Sequence, residues 1–284
     1  MVARKELSDI EFNQQLQESF AYCQQLTRKN AKNFYYGLCL SPKIKRLGLY
    51  AIYAWMKTLD DIVDGDGAPV EKQQLVDQFY HATMAVLDPH FLSINPSPTE
   101  KFWLAFRDTI LRYQIPFSYL QAMFDGQKQD MQPSIFRNFS ELYQYCYRVA
   151  STVGLICIKI WGYDQSANVD QLAEYQGIAF QLTNILRDVT TDTKLGRHYL
   201  PGAPQTKEQR ENVINELLAK TAEYYEKSKA LINYVHPDGR SSLRVMTKIY
   251  YGIFLKLKAH PERILYQMPV KLNFLQKIFI MLRA

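Results

Sequence analysis

Two acidic stretches interrupt apolar helical sequence, and each restricts where its neighbours can pack. Asp60-Asp61-Ile62-Val63-Asp64 closes the run Leu47 to Val63, in which Lys57 is the main polar exception. A helix that is apolar on all sides belongs at the centre of a bundle. Ionised carboxylates there are costly unless they are paired or bound to metal. The second stretch, Asn184-Ile185-Leu186-Arg187-Asp188-Val189-Thr190-Thr191-Asp192, continues an amphipathic pattern that begins at Leu172. Residues four apart on an α-helix lie about 40° apart around its axis. Asp60 and Asp64 therefore share a face, and so do Asn184, Asp188 and Asp192. A chain with this pattern must bury both helices and still give the two acidic rows a common polar space.

The second helix makes the demand explicit. Tyr175, Ile178, Leu182, Ile185 and Val189 repeat at spacings of three and four and form its core stripe. The opposite stripe is Gly177, Gln181, Asn184, Asp188 and Asp192, with Arg187 beside it. A surface helix of this length would carry mixed Lys and Glu on its polar face. Oxygen-only ligands spaced by one turn suit Mg²⁺, which takes carboxylates, waters and phosphate oxygens. Neither cluster contains His or Cys, which argues against zinc. An EF-hand at Asp64-Gly65-Asp66-Gly67 fails on register. With Gly67 at loop position six, Ile62 would occupy the first ligand position and Gln73 the last. Two facing carboxylate rows that hold divalent cations match a substrate bearing a diphosphate.

The rest of the chain reads as helix almost throughout. Helical periodicity is interrupted at Pro- or Gly-marked breaks near 41–42, 65–69, 88–98, 132–134, 162–168, 201–206 and 236–239. Strand-like alternation is scarce, and no linker, low-complexity tract or repeat divides the sequence. The expectation is one all-α domain over residues 1–284, a helical bundle with a core of ample size, since 47% of residues are hydrophobic. The net charge of +6 is dispersed rather than gathered on one face, so nucleic acid is not expected as a partner. Cys23, Cys39, Cys146 and Cys157 lie in apolar patterns without a C-x-x-C pair, as expected for reduced, buried thiols in a cytoplasmic protein. No signal peptide and no spanning helix is expected. The segment Pro269 to Ala284 mixes apolar residues with Lys271, Lys277 and Arg283. It reads as a last core helix, with peripheral contact at the inner face of a membrane as the alternative.

A third helical run, Glu141 to Trp161, places Ala150, Ser151 and Gly154 on neighbouring positions, so that another group can approach closely. Tight helix packing and a lipid channel both fit this pattern. Phe34-Tyr35-Tyr36 adds a dense aromatic patch, and aromatic faces can stabilise a carbocation.

These pieces together resemble the squalene/phytoene synthase family, the head-to-head prenyl diphosphate synthases. The resemblance rests on Asn33-Phe34-Tyr35-Tyr36, Ala51-Ile52-Tyr53-Ala54, Asp60 to Asp64, Tyr145-Cys146-Tyr147-Arg148-Val149-Ala150-Ser151-Thr152-Val153-Gly154, Phe180 to Val189, Asp192 and Gly196-Arg197-His198-Tyr199-Leu200-Pro201. It covers about residues 20 to 270. It implies an isoprenoid-synthase helical bundle with a central cavity capped by several Mg²⁺ ions. Two C15 or C20 allylic diphosphates would bind there, and NADPH would be used where squalene is the product.

Carried over position by position, the resemblance implies that Asp60, Asp64, Asn184, Asp188 and Asp192 are metal ligands, supported by Asp61. Tyr53, Lys57, Gln181, Arg187, Tyr199, Tyr250 and Arg263 would surround the diphosphates. Asn33 would reach a phosphate oxygen, and Phe34, Tyr145, Val149, Ala150 and Val153 would line the prenyl channel. The chain departs from the family pattern in three places. Lys57 stands where Arg is usual, keeping the charge but losing the bidentate fork. Asn33 stands where Ser is frequent. Gln127-Lys128-Gln129-Asp130 replaces a Met-Glu-Met-Asp pattern, which leaves only Asp130 as a candidate in that segment.

The segment Val149 to Tyr163 looks closer to bacterial squalene-type members. The expected reaction is therefore the joining of two farnesyl diphosphates through presqualene diphosphate towards squalene. The alternative is a phytoene or dehydrosqualene synthase, which uses the same site and no reductant, with geranylgeranyl diphosphate as the C20 substrate where phytoene is the product. A non-catalytic scaffold would be free to lose its aspartates, and both clusters are intact. A terpene cyclase or chain-elongating synthase should lack the signatures at Tyr145 to Gly154 and Gly196 to Pro201.

Overall fold

The apolar run that ends in the first acidic cluster becomes the central helix. In the computed structural model, which describes residues 9–88, 101–131, 135–165, 168–266 and 270–282, helix α3 spans Lys43–Asp64. It buries Leu49, Ala51, Ala54, Trp55, Leu59 and Val63. Around it pack α1 (Asp9–Asn30), α2 (Lys32–Leu38), α4 (Pro69–Leu87), α5 (Trp103–Arg112) and α6 (Phe117–Asp130). Trp55 anchors this half. Its ring stacks on Phe106 at 5.4 Å and meets Phe124 edge-on at 5.3 Å, while its indole N–H donates to Thr83 at 3.0 Å. Aromatic clusters of this kind add to the area they bury, and the buried N–H needs such a partner.

The second spine is α9 (Val169–Lys194), longer at both ends than the pattern Leu172 to Val189 indicates. Ile178, Leu182, Ile185, Leu186 and Val189 face a second apolar cluster built with α10 (Lys207–Ser228) and α12 (Pro237–Ala259). The core stripe read from the sequence is therefore the buried stripe, with Tyr175 packed partly buried at its edge. Short helices α11 (Leu231–Tyr234) and α13 (Glu262–Leu265) connect the longer ones. Among the described residues only isolated bridges, Ile135 with His198 and Tyr163 with Val235, have strand pairing. The expected all-α class is what the structure shows.

The helical run Glu141 to Trp161 is not continuous α-helix. It comprises α7 (Phe139–Cys146), a π-helical turn at Tyr147–Ser151 and α8 (Thr152–Trp161). Such turns widen the helix locally and recur at functional sites. The neighbouring helix approaches this turn closely. A Cβ on Gly177 would lie 2.4 Å from the Ser151 Cα and 2.9 Å from the Ala150 carbonyl carbon, so α9 meets this turn backbone to backbone. One further break, at Tyr113 to Pro116, has its signal in Pro116 and includes Gln114 with φ 48°.

Cys23 and Cys146 are buried, Cys39 and Cys157 are half-buried, and all four are free thiols. The terminal helix α14 (Phe274–Leu282) packs on α12 and α2, with Ile280 and Met281 partly covered and Phe279 exposed. No helix among the described residues is long and apolar enough to cross a membrane.

Candidate active site

The end of α3, the far half of α9, the end of α6 and the π-turn converge on one cavity of about 540 Å³. Asp60 and Asp64 come to it from α3, and Gln181, Asn184, Arg187, Asp188 and Asp192 from α9. Gly177 completes that stripe, so the whole polar face of α9 read from its spacing lies on the cavity wall. Phe34, Tyr145, Val149, Ala150, Val153 and Tyr199 also line it.

Other expected residues lie elsewhere. Asp61 is one residue, and so about 100°, around the helix from Asp60; its side chain is 63% exposed and pairs with Lys57 one turn earlier. Neither residue lines the cavity, and neither does Tyr53. Both Tyr53 and Lys57 are coupled to Asp60 electrostatically: the Asp60 charge contributes, after burial, to raising the Tyr53 hydroxyl to about 12, and Lys57 partly offsets the upward shift of Asp60. Tyr250 is buried one layer back. It stacks on Phe180 at 4.4 Å, tilts against Phe34 at 5.5 Å and hydrogen-bonds Asn184. Arg263, on α13, is outside the cavity lining. The side chain of Asn33 lies outside the described residues.

The sequence reading missed Gln127 and Arg197 as site residues. Gln127, in the segment that departs from the family pattern, donates a hydrogen bond to Asp60 and lines the cavity. The lost acidic pattern hid it, although an amide can serve a carboxylate as donor. Arg197 pairs with Asp64 across the cavity rim. Its position in Gly196 to Pro201 was the signal available. Asp130 is held by two phenols: Tyr145 and Tyr199 each donate to it at 2.9 Å, and their rings stack at 5.1 Å.

The electrostatics show where negative charge is poorly compensated. Burial, then the nearby Asp64 carboxylate, raises Asp60 to about 7. Burial and Asp188 raise Asp192 to about 6. Burial also raises Asp130 despite its two tyrosine donors. Arg187 forks onto Asp188, one bond being 2.9 Å, and so partly neutralises the middle of the row. Among the described residues, the buried side-chain polar atoms without a hydrogen-bond partner are Gln176 Nε2 and Asn184 Oδ1, and both residues line this cavity. Buried polar atoms are rarely left unpaired, so both point to an oxygen-bearing occupant or ion.

The donor set fits a hard divalent cation: carboxylate and amide oxygens with no nitrogen or sulfur ligand. Among the described residues no three His, Cys, Asp or Glu groups sit close enough to form a complete cage. Ions held by Asp60 and Asp64 on one side, or by Asn184, Asp188 and Asp192 on the other, would thus draw further oxygens from water and phosphate, as Mg²⁺ commonly does. Below these residues the wall is apolar, formed by Val149, Ala150, Val153, Cys157, Phe180 and Met246.

A match to the squalene/phytoene synthase family runs from residue 27 to residue 276. The chain belongs to that family. It is 30% identical to the phytoene synthase of Mycobacterium tuberculosis over 280 residues, 93% of this chain and 89% of that protein. It is 36% identical to the 15-cis-phytoene synthase of Synechococcus elongatus over 197 residues, 66% of this chain. The chain spans 62% of that relative's length, and 45% of the chloroplastic phytoene synthase of an Oncidium hybrid. A crystal structure of a dehydrosqualene synthase superposes with a TM-score of 0.78 at 24% identity, covering 96% of this chain and 97% of the other. Squalene synthase HpnC from Alicyclobacillus acidocaldarius gives 0.75 at 19% identity, covering 86% and 95%. Both share the all-α isoprenoid-synthase fold with this family member.

Proposed function

We propose that this family member joins two allylic prenyl diphosphates head to head. The observation that carries the reading is the single cavity that unites both acidic rows with an apolar wall. Farnesyl diphosphate is the first-choice substrate, with presqualene diphosphate and then squalene as products. In that reaction one substrate loses diphosphate to give an allylic cation. The double bond of the other attacks it, a proton leaves, and a cyclopropylcarbinyl diphosphate results. A second loss of diphosphate with rearrangement gives the C30 skeleton, and formation of squalene would further require a hydride, which NADPH would supply.

Magnesium, when bound by Asp60, Asp64, Asn184, Asp188 and Asp192, would supply the positive charge that a departing diphosphate needs. The chain's own contribution is positioning and exclusion. Arg187 and Arg197 place fixed cations at the rim, next to the carboxylates they pair with. Preorganised charge of this kind counts most in a water-poor site. Val149, Ala150, Val153 and Phe180 offer no nucleophile and keep water from the cation. Phe180 and Tyr250 stack, with Phe34 tilted against Tyr250, as a group whose π-faces suit a passing positive charge. The Asp130–Tyr145–Tyr199 network holds both phenols protonated, because burial and the Asp130 charge raise both hydroxyls.

A second reading has a specific observation in its favour: the curated relatives named above are phytoene synthases. On that reading two geranylgeranyl diphosphates give a C40 product without a reductant. The test is incubation of purified protein with Mg²⁺ and either substrate, with and without NADPH, followed by mass spectrometry of extracted products. C30 products from farnesyl diphosphate are expected. A C40 product from geranylgeranyl diphosphate alone would overturn the squalene-type reading, and no turnover of either would point to a scaffold.

A further inference from the structure

The acidic rim lies at one end of the cavity, and Trp161 lines it at the other. Two helices measure the distance independently. The Trp161 indole N–H donates to Ser41 Oγ at 3.0 Å, and Ser41 stands two residues before the start of α3 at Lys43. From Lys43 to Asp60 α3 rises about 25 Å at 1.5 Å per residue. Helix α8 runs antiparallel to α9, because Gly177 abuts Ser151 whereas Gly154 abuts Ala173. Trp161, the last residue of α8, therefore lies near the start of α9 at Val169. From Val169 to Asn184 α9 rises about 22 Å. Both helices put the indole one cavity length below the carboxylates.

Trp161 is held there from several sides. It is 1% exposed. Its ring faces Gly239, where a Cβ would lie 2.6 Å from the Trp161 Cγ, so α12 can close on it only because that residue is glycine. Ser41 Oγ, which accepts the indole N–H, also hydrogen-bonds Ser242 Oγ at 2.7 Å. The Trp161 carbonyl accepts from Lys45 Nζ at 2.6 Å, and Lys45 is itself fixed by Asp238 at 2.8 Å. A side chain fixed at its backbone oxygen, its ring nitrogen and its face is a rigid stop.

We propose that Trp161 is the floor that sets the longest prenyl chain this cavity accepts, an inference that rests on the prenyl diphosphate reading above. An extended C15 chain measures about 14 Å and a C20 chain about 19 Å, at carbon–carbon bond lengths near 1.5 Å. The diphosphate with its contacts, and the van der Waals gap of about 3.5–4 Å at the floor, together take up about 10 Å. That leaves about 12–15 Å, which brackets the length of three extended isoprene units and falls short of four, so the fourth unit meets the indole. Replacing the indole with a smaller side chain opens space towards Ser41, Ser242 and Gly239 and admits that unit.

The test compares wild type with Trp161→Phe, Trp161→Leu and Trp161→Ala. Two quantities are measured: the ratio of kcat/KM for geranylgeranyl over farnesyl diphosphate, and the Kd ratio for the inert C20 and C15 thiolodiphosphates. The expected result is a rise of at least tenfold in both ratios from wild type to Leu or Ala, with Phe in between, since even single methylenes change discrimination by about 10-fold or more. Thermal melts identify the folded variants, and the Phe and Leu proteins keep the test decisive if Ala does not fold. A change below threefold in folded variants, or a wild type that already prefers the C20 substrate, overturns the role of Trp161 and leaves the condensation reading standing. A wild type that binds neither analogue and converts neither substrate overturns the condensation reading itself.

Discussion

Replacing Gly177 with Ala tests the closest helix contact in the site. Two opposing effects must be weighed. Alanine in the middle of α9 gains about 0.5–1 kcal/mol over glycine in backbone entropy. Against this, the new methyl would lie 2.4 Å from the Ser151 Cα, 2.7 Å from its nitrogen and 2.9 Å from the Ala150 carbonyl carbon. These are backbone atoms, so no rotamer change relieves the clash, and α9 must move off the π-turn. Overpacking of this kind costs about 1–3 kcal/mol and occasionally more. A net loss of about 1–2 kcal/mol is expected, or about 2–8 °C in Tm for a domain of this size. Gly252→Ala is the internal control. Its Cβ would meet the flexible end of Leu272 at 3.3 Å, and Leu272 can give way. The assay is thermal and urea unfolding of both variants beside wild type. A Gly177→Ala protein as stable as Gly252→Ala would refute the backbone-contact reasoning. Gly177→Ala is also expected to lose activity below its Tm, because the displaced turn carries Val149 and Ala150 in the cavity wall.

Other consequences can be measured directly. Asp60→Ala or Asp188→Ala should abolish diphosphate release while the protein stays folded, and activity within a few-fold of wild type would remove either residue from the site. Asp61→Ala, which breaks only an exposed pair with Lys57, should cost no more than about 0.5 kcal/mol and leave turnover within a few-fold; loss of activity on the scale of Asp60→Ala would show that Asp61 reaches the ions. Asp60 at about 7 and Asp192 at about 6 both lie above the ordinary carboxylate value, so between about pH 4 and 7 the folded protein binds more protons than the unfolded chain. Stability in EDTA should therefore fall as pH rises through that window, Asp60→Asn should flatten the slope, and Mg²⁺ with inorganic diphosphate should restore Tm at pH 8. A Tm that rises from pH 5 to pH 8 in EDTA would contradict the assigned shifts.

The acidic rows show what periodicity could reveal. Once α9 is a helix, spacings of three and four commit Gly177, Gln181, Asn184, Asp188 and Asp192 to one stripe, and the structure places all five on the cavity wall. The same rule separates Asp60 and Asp64 from Asp61, yet the sequence reading kept Asp61 with the acids, because motif identity outweighed the angle between neighbours. Gln127 was passed over for the opposite reason. It does not match the acidic pattern, and its value as a donor to Asp60 depends on α6 lying beside α3. Sequence spacing carries no information about that neighbour.

The sequence by itself determined the helical class, the breaks near 41–42, 65–69 and 201–206, the buried stripe of α9 and the oxygen-only donor set. All of these depend on the 3.6-residue repeat and on side-chain chemistry, which are local. Apart from Asp88, the breaks expected near 88–98 and 132–134 lie outside the described residues, and most of the one expected at 236–239 is the first turn of α12. Only the tertiary structure decided that the run Glu141 to Trp161 opens into a π-turn, that Arg197 meets Asp64, and that Tyr145 and Tyr199 share Asp130. Each of these depends on two elements distant in sequence meeting in one register. That register is fixed by how closely the backbones approach, as at Gly177 against Ser151, and side-chain patterning does not encode it.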